Sequence, residues 1–261
     1  MKKARIGAVV GLGMAACLTA SAASITAVDV TSAGASGNGQ DVNGANFNYA
    51  NPQPTGTGYI DPFLREQNNG SEIGVNSSIK AQIVQGTIQY DNKDPGNYTH
   101  DLAISSLTTV NNGADYRFFL DANQVANAPI SLTTFKIFVS PTAFTDASAL
   151  GNFLNTATPA FDMNGGSQTY RVDIASDNGS GSGDMYVDVP TTGIAGGNWL
   201  YLVAGFGADA NGDGYASNDG FEEWWTQTTV PPPSAPDSAS ALSLLGLALT
   251  GVEVFRRKLR A

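Results

Sequence analysis

The sequence predicts an all-β body, a single antiparallel β-sandwich or jelly roll. Short runs of alternating apolar and polar residues recur from residue 23 to about residue 229, and clusters of Gly, Asn and Asp separate them. Alternation is typical of half-buried strands, and the clusters provide turns because Gly and Asn tolerate positive φ. About eight or nine strands in roughly 200 residues fit one such domain.

The elements can be predicted in chain order. Residues 32–54 are rich in Gly, Asn, Ala and Pro, which indicates a long loop or a loosely ordered arm. A change of parity near Gly86 predicts a bulge. Residues 145–154 predict one helix, with Asp146 as its cap. Strands are expected at residues 24–30, 78–90, 100–110, 116–120, 130–139, 168–175, 184–189 and 199–206.

Charge is distributed unevenly along the chain. There are 13 Lys and Arg residues against 23 Asp and Glu residues, and seven of the basic ones lie at the two ends. Residues 24–230 therefore hold only six basic residues and 21 carboxylates, a net charge of −15. Such a body repels phosphate backbones, so we expect no nucleic-acid partner, whereas divalent cations are suitable partners.

The N-terminus has the pattern of a secretory signal peptide over residues 1–22. A basic start precedes an apolar stretch at 6–18 that is too short to span a bilayer. Ala20 and Ala22 supply the small residues of a cleavage site, which implies processing by signal peptidase after export by the general secretion machinery. A mature chain starting at Ala23 has no cysteine, which excludes disulfides and thiolate sites.

One alternative for this end uses Cys17. Residues 14–17 faintly resemble a lipoprotein cleavage box, although Met14 stands where Leu is usual. Cleavage there would leave Cys17 as the first mature residue.

The C-terminus has three parts in a fixed order. Residues 230–234 form a stiff proline spacer, and a short polar element follows at 235–239. The apolar segment 241–255 would reach only about 22 Å as a helix, against a hydrocarbon core of about 30 Å. Snorkelling of the basic end at 256–261 shortens that gap and would hold this end in the cytoplasm. We expect a membrane-spanning helix; a helix packed on the body is the alternative.

This order of short proline motif, apolar helix and basic end resembles the PEP-CTERM sorting domain of Gram-negative bacteria. Pro236, Asp237 and Ser238 resemble its Val-Pro-Asp-Ser-Gly variant, from which Ala235 and Ala239 depart. The resemblance implies recognition by an exosortase, transient anchoring in the inner membrane, and then release to the cell surface or extracellular matrix. The basic stop consists of Arg256, Arg257, Lys258 and Arg260.

Three body segments are similar to segments of PEP-CTERM proteins of uncharacterised function. They are residues 116–124, 181–185 and 217–224, and they recur there in the same order. This second resemblance indicates a group of surface proteins and no particular activity.

The densest carboxylate cluster lies at residues 209–219 and resembles the opening of an EF-hand loop. Oxygen donors at alternate positions, with Gly214 at the sixth, are the pattern that Ca²⁺ requires. Gly220 occupies the twelfth position, where the bidentate Glu would stand. The pattern predicts either a structural calcium site or a plain acidic turn. The calcium ligands would be Asp209, Asn211, Asp213, Tyr215 and Ser217.

No catalytic arrangement is recognisable in the body. His100 is the only histidine, and no Gly-x-Ser-x-Gly elbow occurs. The body glutamates stand in no catalytic frame, so we expect no enzyme. They are Glu66, Glu72, Glu222 and Glu223.

The tryptophans suggest a second activity. Trp199, Trp224 and Trp225 could form an aromatic platform for sugar rings, or could simply pack in the core. The leading hypothesis is a structural or adhesive protein of an exopolysaccharide matrix. The alternatives are a carbohydrate-binding module and, last, a glycan-active enzyme.

Overall fold

The computed structural model describes residues 24–50, 60–176 and 183–227, which form an all-β body with one α-helix. The segments predicted to be a signal peptide (residues 1–22), a proline spacer (230–234) and a sorting tail (235–261) lie outside these ranges. Within the described ranges, no helix is both long and apolar enough to cross a membrane.

Seventeen strands, most of them short, make up the described body. Helix α1 (Ala147–Thr156) is the one α-helix of the described body. The strands are β1 (Ile25–Asp29), β2 (Gln40–Val42), β3 (Ala45–Tyr49), β4 (Leu64–Glu66), β5 (Asn69–Val75), β6 (Val84–Gln85), β7 (Ile88–Gln89), β8 (Leu102–Ala103), β9 (Thr109–Val110), β10 (Asp115–Asn123), β11 (Ile130–Ser140), β12 (Phe161–Asp162), β13 (Thr169–Ile174), β14 (Met185–Pro190), β15 (Trp199–Gly207), β16 (Ser217–Asn218) and β17 (Phe221–Thr226).

The strands form two large sheets and one hairpin. Sheet A has the order β1-β13-β11-β15-β5-β16, with β12 beside β11 and β8 beside β15. Sheet B has the order β2-β3-β14-β10-β17-β4, with β9 beside β10, and β6 pairs with β7. Among the described strand pairs, only β1 with β13 is parallel, so the prediction of antiparallel pairing was wrong for β1.

Sheets A and B pack against each other through one apolar core. Phe135 of sheet A contacts three rings of sheet B, with ring centroids 5.2 Å from Trp224, 5.8 Å from Phe47 and 6.4 Å from Phe118. Successive residues of a strand point to opposite faces. On β15, the residues that face this core are Leu200, Leu202, Ala204 and Phe206.

Helix α1 and the β6–β7 hairpin cover part of the other face of sheet A. Leu150 and Leu154 of the helix pack there with Tyr201 and Val203, the outward residues of β15. Asp146 caps the helix by accepting a hydrogen bond from the N–H of Ala149 at 2.8 Å, as the sequence predicts. In the described part of the chain, no helix covers the outer face of sheet B.

The expectation of a loosely ordered arm over residues 32–54 was wrong for residues 40–49. These residues form β2 and β3 at the edge of sheet B. Asn43 and Gly44 connect the two strands with φ of 52° and 97°, the conformation that a two-residue hairpin turn requires. An Asn-Gly pair is a sequence signal for such a hairpin turn. The surrounding residues are rich in Gly, Asn and Ala, and this composition favoured the prediction of a loop. Residues 51–54 lie outside the described ranges.

The predicted bulged strand at 78–90 is instead a small hairpin. Val84 pairs with Gln89, and Gly86 occupies the turn with φ 62°. The predicted strand at 100–110 is likewise divided, because a single 3₁₀ turn at 104–106 separates β8 from β9.

We predict that Gly151→Ala destabilises the body although alanine favours helices. A Cβ at position 151 would overlap the carbonyl oxygen of Val84, so α1 could not stay against the hairpin. The helix-propensity gain is about 1 kcal/mol, whereas overpacking costs about 1–3 kcal/mol and here involves rigid backbone. Denaturant unfolding should show a net loss. Ser148→Ala on the exposed side of the same helix is the control, and equal stability of the two variants would contradict the prediction.

Candidate functional site

Three aromatic rings form a row across the outer face of sheet B. Phe119 of β10 lies opposite Tyr186 of β14 on one side and Trp225 of β17 on the other. The rings of Phe119 and Trp225 stack with centroids 5.0 Å apart, and Phe119 is 6.1 Å from Tyr186. All three side chains are half-buried. We call Tyr186, Phe119 and Trp225 the aromatic row.

Polar groups border one end of the aromatic row. The guanidinium of Arg117 lies 4.0 Å from the centre of the Tyr186 ring. It donates two hydrogen bonds to Asp188, at 2.6 and 2.7 Å, and these raise the pKa of Arg117 above its ordinary value. Asn46 and Asn48 of β3 stand opposite Asp188 and Tyr186 and are partly exposed. Amide and guanidinium groups therefore lie beside the rings.

A second aromatic and cationic cluster lies on the same face. The guanidinium of Arg65 is 3.8 Å from the ring centre of Tyr98 and 4.9 Å from that of Phe221. Its Nε donates to Glu223 at 2.6 Å, and its Nη1 pairs with Asp94 at 3.0 Å. Tyr98 and Phe221 are exposed, so the outer face of sheet B presents several rings to solvent.

The three tryptophans that the sequence suggests as glycan contacts have different environments. Trp225 belongs to the aromatic row. Trp224 is 0% exposed and packs between the sheets against Phe135, so the prediction that it contacts a surface ligand was wrong. Trp199 packs with the cluster behind α1 and lies in the other sheet. Neighbouring residues of a strand face opposite ways, so Trp224 and Trp225 could never share a surface.

The described parts of residues 116–124, 181–185 and 217–224 meet in space. Gln124 donates to the Glu222 carboxylate and accepts from the N–H of Asn218 at 2.8 Å. Asp184 accepts from the N–H of Ala122 at 2.7 Å. These contacts connect the end of β10 to β17 and to the start of β14, so they stabilise the fold of sheet B. Residues 181–182 lie outside the described ranges.

The acidic loop predicted to bind calcium is built around an arginine. Nη1 of Arg171 contacts Asp209 at 2.6 Å, and Nε contacts Asp173 at 2.9 Å. Burial raises the pKa of the Asp209 carboxyl, but the hydrogen bonds from Arg171 and from the N–H groups of Asn211 and Asp213 outweigh burial and lower it overall. The bonds to Asp173 and Asp209 raise the pKa of Arg171. The cleft beside this ion pair measures about 350 Å³.

The other predicted calcium ligands have protein contacts as well. The Tyr215 carbonyl accepts from the N–H of Ser131 at 3.1 Å, and the Ser217 hydroxyl donates to the Asn68 carbonyl at 2.7 Å. The Asn211 and Asp213 residues are exposed. No group of three or more His, Cys, Asp or Glu side chains in the described ranges is arranged to hold a metal ion. The geometry favours the ion-paired turn, and calcium binding stays a prediction.

The sequence analysis missed that three body glutamates meet. Glu66, Glu72 and Glu222 are all buried between the sheets. One signal was available: Glu222 has the same parity in its strand as the buried Trp224, so both point inward. Nothing in the sequence near either residue predicts that Glu66 pairs with Glu222, because the two lie far apart in the chain.

Comparison with known proteins gives no relative for this chain: no family model, no curated protein and no solved structure matches it.

We predict that Arg171→Gln destabilises the body by about 2–4 kcal/mol, because it leaves two largely buried carboxylates without their cation. Asp173 and Asp209 retain 12% and 4% side-chain exposure. Lys136→Gln is the control, since Lys136 is 39% exposed and its pair with Asp162 is worth at most about 1 kcal/mol. Chemical denaturation measures both, and equal losses would contradict the prediction.

Wild type and Arg171→Gln also test whether the loop at residues 209–219 binds calcium. If Asp209 and Asp213 bind calcium, the wild-type melting temperature should be higher in calcium than in chelator, and the difference should grow in Arg171→Gln, where no guanidinium competes for Asp209. Equal melting temperatures in both proteins would refute the calcium site.

Proposed function

We propose that this chain is an exported, non-catalytic protein of the cell surface or extracellular matrix, whose β-sandwich body adheres to exopolysaccharide through the outer face of sheet B. The predicted signal peptide supports export. The tail resembling a PEP-CTERM domain supports processing by an exosortase. The observation that carries the adhesive role is the aromatic row, together with the polar groups beside it on a sheet face that no described helix covers.

The chemistry of this face suits a neutral polysaccharide. Sugar rings present C–H faces that pack on aromatic rings, and hydroxyl groups that bond to amides. Phe119, Trp225 and Tyr186 offer the first kind of contact, and Asn46 and Asn48 the second. A polyanionic chain fits less well, because Asp188, Glu223 and Asp94 already occupy the two arginines of this face. Carbohydrate binding, which the sequence analysis gives as an alternative function, is thus the means by which we propose that the body adheres.

A binding experiment tests the aromatic row. We expect Trp225→Ala and Phe119→Ala each to weaken pull-down by neutral exopolysaccharide isolated from the producing organism, by about two- to thirteenfold, because an aromatic contact contributes roughly 0.5–1.5 kcal/mol. Tyr215→Ala is the control, since Tyr215 is an exposed aromatic residue outside this face.

Melting curves must show that each variant still folds. Binding that is equal in wild type, both row variants and the control would refute adhesion through this face, and would leave the sorting proposal standing.

Sorting is tested separately in cells. Replacing Pro236, Asp237 and Ser238 by alanine should leave an unprocessed chain in the membrane fraction, because the exosortase loses its motif. Mass spectrometry of the C-terminus and fractionation measure this. Ala239→Gly, which brings the motif closer to the Val-Pro-Asp-Ser-Gly variant, is the control and should still be processed. An intact chain found soluble inside wild-type cells, with Arg256 and Arg257 attached, would contradict the proposal.

A further inference from the structure

Three glutamates are buried between the sheets, next to a core that is mostly apolar. Glu66 of β4 and Glu222 of β17 are cross-strand partners in sheet B. Glu72 lies on β5 of sheet A. The three residues are 0%, 0% and 3% exposed. We call Glu66, Glu72 and Glu222 the glutamate cluster.

The packing around the cluster is tight. A Cβ on Gly74 of β5 would lie 2.8 Å from Oε2 of Glu66, so the glycine backbone of sheet A lies directly against this carboxyl of sheet B. The cluster therefore bridges the two sheets.

Several oxygens of the cluster have no hydrogen-bond partner in the described part of the chain. They are both carboxyl oxygens of Glu66, Oε1 of Glu72 and Oε2 of Glu222. Only one oxygen each of Glu72 and Glu222 has a partner, from the N–H of Asn68 at 2.7 Å and from the Gln124 amide. The buried indole N–H of Trp224 also lacks a hydrogen bond of normal geometry. It lies close enough to Glu66 to lower the pKa of the Glu66 carboxyl, against the larger effect of burial.

No described cation compensates the cluster. Asp91 is near enough to raise the pKa values of Glu66 and Glu72, and it adds negative charge. Tyr90 is buried beside Glu66, and its own pKa is raised by burial and by that carboxyl. Arg65, the neighbour of Glu66 on β4, points to the opposite face, where it pairs with Glu223 and Asp94.

Ionised carboxylates are not stable in such a place. Burial without a cation or a full set of donors disfavours the charged form strongly, and adjacent carboxylates disfavour it further. Burial raises the pKa of Glu66 well above its usual range, with Glu72 and Asp91 adding to it. Burial raises the pKa of Glu222 to about 12, and the neighbouring carboxyls of Glu72 and Glu66 add to this effect.

We propose that Glu66, Glu72 and Glu222 form a proton-binding site between the two sheets, which the body fills when it folds and empties when it unfolds. Protons on the carboxyls turn mutually repelling groups into donors and acceptors for one another. The contact between Glu72 and Glu222, one from each sheet, then becomes a hydrogen bond that joins the sheets. At neutral pH the protonated glutamate cluster therefore holds the two sheets together.

The sign of the pH dependence follows from proton binding. The folded chain keeps protons that the unfolded chain releases above the ordinary glutamate pKa of 4.5. The stabilisation is fully present below that value and is lost progressively as pH rises towards the folded-state pKa values. Each retained proton raises the unfolding equilibrium constant about tenfold per pH unit.

Denaturant unfolding of the purified protein from pH 5.5 to 8, in chelator, tests the proposal. We expect the wild-type unfolding constant to rise with pH by about tenfold per unit or more. In Glu222→Gln, a neutral isostere that keeps the acceptor for Gln124, the slope should fall by about one proton, with a smaller unfolding constant than wild type at pH 8. Asp41→Asn, an exposed carboxylate that accepts from the N–H of Gly44, is the matched control and should keep the wild-type slope.

Each other outcome overturns the proposal. A wild-type unfolding constant independent of pH, or equal slopes in wild type and Glu222→Gln, would show that the cluster holds no protons. Stability that rises with pH only when calcium replaces the chelator, and that does so in wild type but not in Glu222→Gln, would show that a divalent cation occupies the cluster instead. If Glu222→Gln does not fold, Glu72→Gln provides the same comparison from the other sheet.

Discussion

The register of β17 is the constraint on which the described body depends most. Trp224 sits between the sheets, with ring centroids 5.2 Å from Phe135 and 6.3 Å from Phe206. Because side chains alternate along a strand, this one ring fixes the direction of its neighbours. Glu222 points inward to the glutamate cluster, whereas Glu223 and Trp225 point outward. A shift of one residue would bury the outward set and expose the core, so the register is strongly specified.

The body has few basic residues to neutralise its many carboxylates. Its few arginines each contact carboxylates that the sheets would otherwise leave uncompensated: Arg65 joins Asp94 and Glu223, Arg117 binds Asp188 through two nitrogens, and Arg171 joins Asp173 and Asp209. A guanidinium suits this work because its planar fork serves two oxygens at once. No described arginine contacts the glutamate cluster, and there we propose that bound protons neutralise the carboxylates instead.

Sequence reasoning predicted the long elements well because their local patterns are strong. Strands β10, β11, β13, β14 and β15 are each at least six residues long and rich in apolar, β-branched or aromatic residues, and α1 has its cap at Asp146. It failed where local composition opposes the tertiary pairing. Residues 45–49 alternate apolar residues with Asn, but they lie in a stretch rich in Gly and Asn that favours a loop, and residues 64–66 are too few to show a period, yet both stretches pair in sheet B.

The outer-face row and the glutamate cluster were harder still to predict. Each depends on pairs distant in the chain, such as Glu66 with Glu222 and Phe119 with Tyr186 and Trp225, for which one sequence carries no signal.

The parallel pairing of β1 has a consequence for the order of assembly. Ile25 lies beside Thr169, so the first strand finds its neighbour only after most of the chain exists. The first strand therefore cannot pair with β13 while the later hairpins form, since contacts between distant residues close slowly. This edge of sheet A is completed late, and until then the open edge of β13 can pair with other strands.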